Sequence, residues 1–320
     1  MDNSRDRLLV LDVFRGFAAF SVLIYHLDKT HFPFGFWGVQ FFFTISGFVV
    51  FMSLENSKNG FFFLTKRFFR LYPTYWLCLI LTTLVINFVP TDSFSPIGTK
   101  QFVVNLTMIS EMLGSQNVDG SYWSLQPELM FYLMIALIFG LKLNHKIILI
   151  GLFWLLIIFI NHLFLIEKHF VIIKLLNIRH GGLFFAGMLF YQIHKGNTAK
   201  IVYVSLILCY FLSLLVYTRL FDFWGAFTTL SLIYAFFSLF LKQKLIFLTH
   251  PYLVFLGSIS YPLYLIHQTI GRILLSKLNA FFPFVVSFIL IISLLICIAY
   301  YIHIFVEKPS SKWFKRYTSV

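Results

Sequence analysis

The feature that most constrains this chain is the recurrence of apolar runs of about 20 residues along most of its length, each long enough to cross a hydrocarbon layer as a helix. Charged residues collect between these runs. Of the 320 residues, 59% are hydrophobic, 20% aromatic and 12% charged, where an ordinary soluble domain is roughly 25% charged. Forty-three Phe residues cannot be hidden inside one globular core, because a soluble fold of this size still has a large polar surface to fill. The apolar excess must face lipid. The sequence therefore predicts an all-α, polytopic transmembrane helical bundle and excludes a soluble enzyme.

Grouping the apolar runs between charged or Pro/Gly-containing breaks predicts about ten helices, near 8–27, 36–54, 71–90, 121–141, 146–164, 179–194, 201–218, 222–241, 253–275 and 282–306. The segment 97–113 is less apolar and is placed in or near the interface. The stretch 167–178 stays open between an extension of the fifth span, a re-entrant segment and a short outer helix. No second soluble domain, linker or internal repeat is visible, so residues 1–320 are read as a single transmembrane domain. The first run carries Asp12 and Arg15 and lacks a small-residue cleavage site, which predicts a retained span rather than a removed signal peptide.

A formal net charge of +13 would suggest a nucleic-acid partner in a soluble protein; in a membrane protein the distribution of Lys and Arg matters more than their sum. With the chain starting inside, the inner segments carry sixteen Lys and Arg, the outer segments eight, and Arg15 lies within a span, which completes the 25. Both termini are expected in the cytoplasm, the topology suits a multi-pass protein of a bacterial inner membrane, and no nucleic-acid partner is expected. Cys78, Cys209 and Cys297 lie far apart in separate apolar runs, so spacing gives neither a disulfide framework nor a metal site, and no metal is expected.

An ionisable side chain in a span costs a few kcal/mol by insertion scales, about 2.5–3.5 for a charge at the helix centre, so each is a candidate functional residue. Arg15 and His26 are eleven residues apart, close to three helical turns, and so project from one face at two depths. Asp12 stands where it can pair with Arg15, and a structural pair plus an interfacial histidine explains the same pattern. Arg67 and Arg70 share a helix face just before Pro73, which suits a first turn. Two guanidiniums near a helix N-terminus suit a phosphate, although the positive-inside rule alone also puts arginines there. Glu128 comes early in the fourth span, at a depth similar to His26, where it serves an imidazole or neutralises an outer base. Ser260, Tyr264 and His267 fall on one stripe of the ninth span, which suits either a polar cavity or interhelical hydrogen bonding. The small residues around Thr44, Ser46 and Gly47 read as helix packing.

Together these segments resemble the acyltransferase-3 family of integral-membrane acyltransferases. Leu11-Asp12-Val-Phe-Arg15-Gly16 through His26 is similar to the family's first-helix signature, and Gly38-Val39 to Ser46-Gly47-Phe48 to its second. Arg67 and Arg70 before Tyr72-Pro73 resemble its paired-arginine motif. Trp123-Ser124-Leu125 with Glu128 and Phe131-Tyr132 resembles the fourth-helix pattern, Ser260-Tyr261 through Tyr264 to His267 a late one, and Glu307-Lys308-Pro309 the ending. Gln126-Pro127 departs from the pattern before Glu128.

The resemblance implies an O-acetyltransferase type of enzyme that takes an acyl group, most often acetyl, from cytoplasmic acyl-CoA and gives it to a hydroxyl of a cell-surface polysaccharide, lipopolysaccharide or related glycan or glycolipid. It implies His26 and Glu128 as catalytic, Arg15, Arg67 and Arg70 as donor-binding, and Trp123, Ser260, Tyr264 and His267 as substrate-binding residues. Some members carry a C-terminal extracytoplasmic hydrolase-like domain; here the sequence ends about a dozen residues after the last span, so transfer is expected to finish within the membrane domain or with a separate extracytoplasmic partner. Membrane lipid is the expected surrounding. A transporter or flippase of a glycan or lipid intermediate, with His26, Glu128 and His267 as a proton relay, is the competing expectation.

Overall fold

A computed structural model describes residues 3–91, 93–164 and 170–318. Among the described residues no strand occurs, and the chain runs through fifteen α-helices. In order these are α1 (Asn3–Leu27), α2 (Gly38–Glu55), α3 (Gly60–Phe88) and the short α4 (Thr99–Asn105). There follow α5 (Leu125–Gly140), α6 (Ile147–Phe164), α7 (Phe170–Leu175), α8 (Gly181–His194), α9 (Lys200–Tyr217) and α10 (Phe223–Leu241). The chain closes with α11 (Pro251–Ser258), α12 (Ser260–Ile266), α13 (Thr269–Leu278), α14 (Phe284–Ile302) and α15 (Lys308–Thr318).

Eight helical segments among the described residues are long and apolar enough to cross a membrane. They match eight of the ten expected spans, and the protein is an all-α, multi-pass membrane protein. The other two differ for separate reasons. Helix α8 has 14 residues, a length of roughly 21 Å at 1.5 Å per residue, and every side chain from Gly181 to Tyr191 is buried. It is a core helix, apolar all round because protein surrounds it. The run 253–275 is divided into α11, α12 and α13 by breaks at Ile259 and His267–Gln268, so its apolar content conceals three short helices. The ambiguous stretch 167–178 contributes α7, and its part 167–169 lies outside the described residues.

The third span also begins earlier than expected. Helix α3 starts at Gly60, so Pro73 is inside it rather than in its first turn, and Arg67 and Arg70 lie along a helix instead of at its N-terminus. The free N–H groups that would have helped hold a phosphate are therefore not beside them. Pro127, by contrast, is the third residue of α5, where a missing N–H removes no helical bond.

The chain forms two compact units. The first comprises Met1–Arg15, Val39–Leu64 and Pro127–Val254. In it α2 and α8 approach backbone to backbone: a Cβ on Gly47 would collide with the Phe184 carbonyl, and one on Gly187 with the Thr44 carbonyl. Aromatic stacking fills the surroundings, with Phe131 and Phe184 ring centroids 4.3 Å apart and Phe190 and Phe237 4.7 Å apart. This agrees with the packing role read from the small residues of the second span.

The second unit comprises Gly16–Gly38, Thr65–Gln126 and Phe255–Val320. Here α1 meets α11 at Gly16, where an added Cβ would lie 2.7 Å from the Gly257 nitrogen. The segment 97–118 holds no helix long and apolar enough to cross a membrane; Tyr72, Tyr75 and Trp76 of α3 donate to the carbonyls of Thr107, Asn105 and Leu106. The buried Asn105 in turn accepts from Val118 N–H at 3.0 Å and donates to the Gln116 carbonyl at 2.9 Å. These bonds satisfy irregular backbone and set the start of the Gly120–Ser124 turn.

Candidate active site

His26 lies in the last turn of α1, and its Nδ1 is 3.0 Å from the Val22 carbonyl one turn back. The same nitrogen is 3.1 Å from Nε2 of His267, whose ring lies in the break between α12 and α13 and is fully buried. Nδ1 of His267 is 2.6 Å from the Tyr264 carbonyl. A carbonyl only accepts, so the two carbonyls put a proton on Nδ1 of both neutral rings. His267 then offers its Nε2 lone pair to the N–H of His26, and His26 keeps an Nε2 lone pair of its own. That is the arrangement of a general base steadied by a second ring.

What holds His267 there is a carboxylate. Asp119 is fully buried; one oxygen accepts from Ser121 N–H at 2.8 Å and from Ser121 Oγ at 2.6 Å, and the other from Thr269 N–H at 2.9 Å. It thereby caps the Gly120–Ser124 turn and the first residue of α13, two positions after His267. Tyr264 adds a second tie, with its hydroxyl 2.7 Å from Ser124 Oγ and donating to the Ser121 carbonyl at 3.1 Å. The charged groups whose fields act on the His26 ring are Asp119 and Arg272.

His26 also walls a cavity of about 270 Å³, whose other lining includes Leu27, Ser93, Phe94, Arg272, Ser276 and Asn279. Arg272 is exposed, and its guanidinium carbon is 5.8 Å from the centre of the Phe94 ring.

The remaining expected residues are distributed as follows. Of the stripe in the ninth span, His267 joins His26, Tyr264 ties helix to turn, and Ser260 spends its hydroxyl on the Gly257 carbonyl at 2.7 Å. Trp123 is half-buried in the Gly120–Ser124 turn. Arg67 is buried at 4% exposure while Arg70 is half-buried, so the expected pair does not present two open guanidiniums. In the first unit Arg15 is 3.7 Å from Asp12, the structural pairing foreseen as an alternative. Glu128, also in that unit, accepts through Oε1 from Ser46 Oγ at 2.7 Å and from the Tyr132 hydroxyl.

Asp119, Phe94 and Arg272 were missed by the sequence reading. Asp119 had a local signal, an Asp-Gly-Ser sequence opening an apolar helix. Arg272 counted only as a loop charge, and nothing local joins it to Phe94 or His26.

The family model described as an acyltransferase domain, of the acyltransferase-3 type, matches residues 8–303. The chain belongs to the acyltransferase-3 family. The match takes in both units of this acyltransferase-3 chain and every site residue named above. A protein of Acidianus two-tailed virus named "Putative acetyltransferase ORF330" is 29% identical over 141 residues, 42% of each chain. The acyltransferase-3 chain thus spans less than half the length of the curated relative it matches. No solved structure matches it.

Proposed function

We propose that the protein is a membrane-bound O-acyltransferase that moves an acyl group, most often acetyl, from cytoplasmic acyl-CoA to a hydroxyl of a cell-surface glycan or glycolipid. The observation that carries this reading is the tautomer logic of the two histidines, which leaves His26 Nε2 as a lone pair at the wall of a cavity. Family membership supplies the class of chemistry.

In the proposed reaction the acceptor hydroxyl oxygen attacks the thioester carbonyl while His26 Nε2 takes the hydroxyl proton. The C–S bond breaks, the acyl group becomes an ester of the acceptor, and the thiolate receives the proton from His26 to leave as the free thiol of CoA. His267 accepts from His26 throughout and holds the ring in register. The Asp119 carboxylate offsets the positive charge that forms on the imidazole.

Arg67 and Arg70 are assigned to the donor's phosphates, with Arg70 the more accessible of the two. The donor-binding role of Arg15 and the catalytic role of Glu128 rest on the resemblance. The excess of inner Lys and Arg supports termini in the cytoplasm, a topology that suits a bacterial inner membrane without naming it.

The test uses inside-out membrane vesicles containing envelope glycans, supplied with acetyl-labelled acetyl-CoA. Label is expected to enter glycan with the intact protein, to fall about 10²–10⁴-fold with His26→Ala, and to require more donor with Arg70→Ala. Label retained with His26→Ala at matched abundance overturns the assignment of the base. Translocated glycan without any protein-dependent label favours a transporter.

A further inference from the structure

The cavity beside His26 has an electrostatic sign that the proposed chemistry does not explain. Asp119 is the acidic group whose field reaches His26, but it is fully buried and both its oxygens are occupied by Ser121 and Thr269 donors. Arg272 is exposed at the cavity wall, and among the described residues no ion pair includes it; its guanidinium lies over the face of Phe94. The cavity therefore presents a cation to whatever enters it. When His26 Nε2 takes a proton, the new imidazolium is repelled by that guanidinium. A bound anion between the two removes the repulsion.

The rest of the wall suits a small polyol. Arg272 and Ser276 of α13 and Asn279, which caps its C-terminus in helical conformation, stand four and three residues apart and so form one stripe. Ser93 adds a hydroxyl, and Phe94 offers a flat apolar face of the kind on which a sugar ring rests. At about 270 Å³ the space is below the roughly 300–1,000 Å³ of sites for drug-sized ligands, which fits one ring and not a long oligosaccharide.

We propose that this cavity is the acceptor subsite and that Arg272 selects an acceptor whose reacting sugar carries an anionic group, a carboxylate or a phosphate, beside the hydroxyl to be acylated. This rests on the reading of His26 as the base, and it adds the substrate class and the residue that sets it.

The experiment uses the full chain in lipid nanodiscs with three probes: methyl glucoside, methyl glucuronide and glucose 6-phosphate. Equilibrium binding is followed by tryptophan fluorescence and acyl transfer from acetyl-CoA by release of the free thiol. At least one anionic probe is expected to bind about 10- to 100-fold tighter than methyl glucoside, the range of one hydrogen bond to a charged group. Which of the two binds identifies the anion. Arg272→Gln is expected to abolish that preference and Arg272→Lys to keep part of it, since Lys retains the charge without the fork.

Equal binding of neutral and anionic probes by the intact protein overturns the proposal, as does a preference unchanged in Arg272→Gln. An equal loss of kcat for every acceptor, with binding preference intact, also overturns it and makes Arg272 a stabiliser of reaction charge. Preferential binding of an anion without transfer to any probe leaves the anion subsite standing and removes the reading of His26 as base.

Discussion

In the unit built on Val39–Leu64 and Pro127–Val254, buried and half-buried polar side chains meet in small groups: Glu128 with Ser46 and Tyr132, His180 with Tyr217, Tyr210 with Ser231. In the unit built on Gly16–Gly38, Thr65–Gln126 and Phe255–Val320 polar groups form a longer series that passes through the Tyr264 backbone carbonyl. Its members run from Ser124 through Tyr264 and His267 to His26, and Asp119 braces the turn and α13 on either side. A polar side chain bonded to a neighbouring side chain has its polarity satisfied within the fold. A series that ends in a lone pair at a cavity wall is available to a substrate. The second unit is accordingly where the proton transfer is expected, while the first, apart from the roles that the resemblance gives Arg15 and Glu128, is where packing decides.

The sharpest way to break that contrast is to separate the two histidines. His267→Phe keeps a ring but removes both nitrogens, and turnover is expected to fall about 100-fold. The double variant His26→Ala, His267→Phe should be no slower than His26→Ala alone, because residues that act as a unit are non-additive. Additive losses in steady-state kinetics would mean that the rings act separately and that the series is merely structural.

Glycine packing should show no such contrast between the units. Gly16→Ala places a Cβ 2.7 Å from the Gly257 nitrogen, and Gly47→Ala drives one into the Phe184 carbonyl. Neither neighbour is a flexible side chain, so each variant should lose about 1–3 kcal/mol of stability from overpacking, seen as a lower unfolding midpoint in detergent. A midpoint unchanged in either unit would show that its helices can slide apart.

Asp119→Asn is a smaller change with a defined location. Whichever way the amide turns, its NH₂ group faces either Ser121 N–H or Thr269 N–H, donor against donor. About 1–3 kcal/mol follows from one buried donor left unmade, and faster amide exchange at Thr269 or Ser121 is the signature. Uniformly unchanged exchange would mean that Asp119 does not hold α13.

The smallest effect is expected at Glu128. Gln keeps an oxygen that can accept from Ser46 and Tyr132 and removes only the charge, so Glu128→Gln should lower turnover less than tenfold, under about 1.4 kcal/mol of barrier. A loss as large as that of His26→Ala would bring the first unit into the chemistry and end the contrast.

Much of this was legible before any coordinates. The apolar runs fix an all-α membrane protein because lipid offers no partner for an unpaired backbone group, and the order of short motifs from Leu11 to Pro309 points to the acyltransferase-3 family. His26 stood out because an ionisable group in a span is costly unless it is used. The errors had equally physical sources. Hydropathy measures transfer to an apolar medium and does not distinguish lipid from protein interior, so it could not tell that the run near 179–194 is a 14-residue helix packed among other side chains. The same measure cannot see the breaks at Ile259 and His267–Gln268, since they change direction and not polarity. Pro73 read as a helix start because sequence rules favour that position, whereas α3 carries it in its interior.

The sequence by itself determined the class, the family and the candidate base, because each depends on composition or on residues close together in the chain. Tertiary structure alone decided that His26 works beside His267, 241 positions away, that Asp119 holds the start of α13, and that Arg272 and Phe94 share a cavity wall with the base. Those relations rest on hydrogen bonds of about 3 Å between helices whose separation in sequence carries no information about their separation in space.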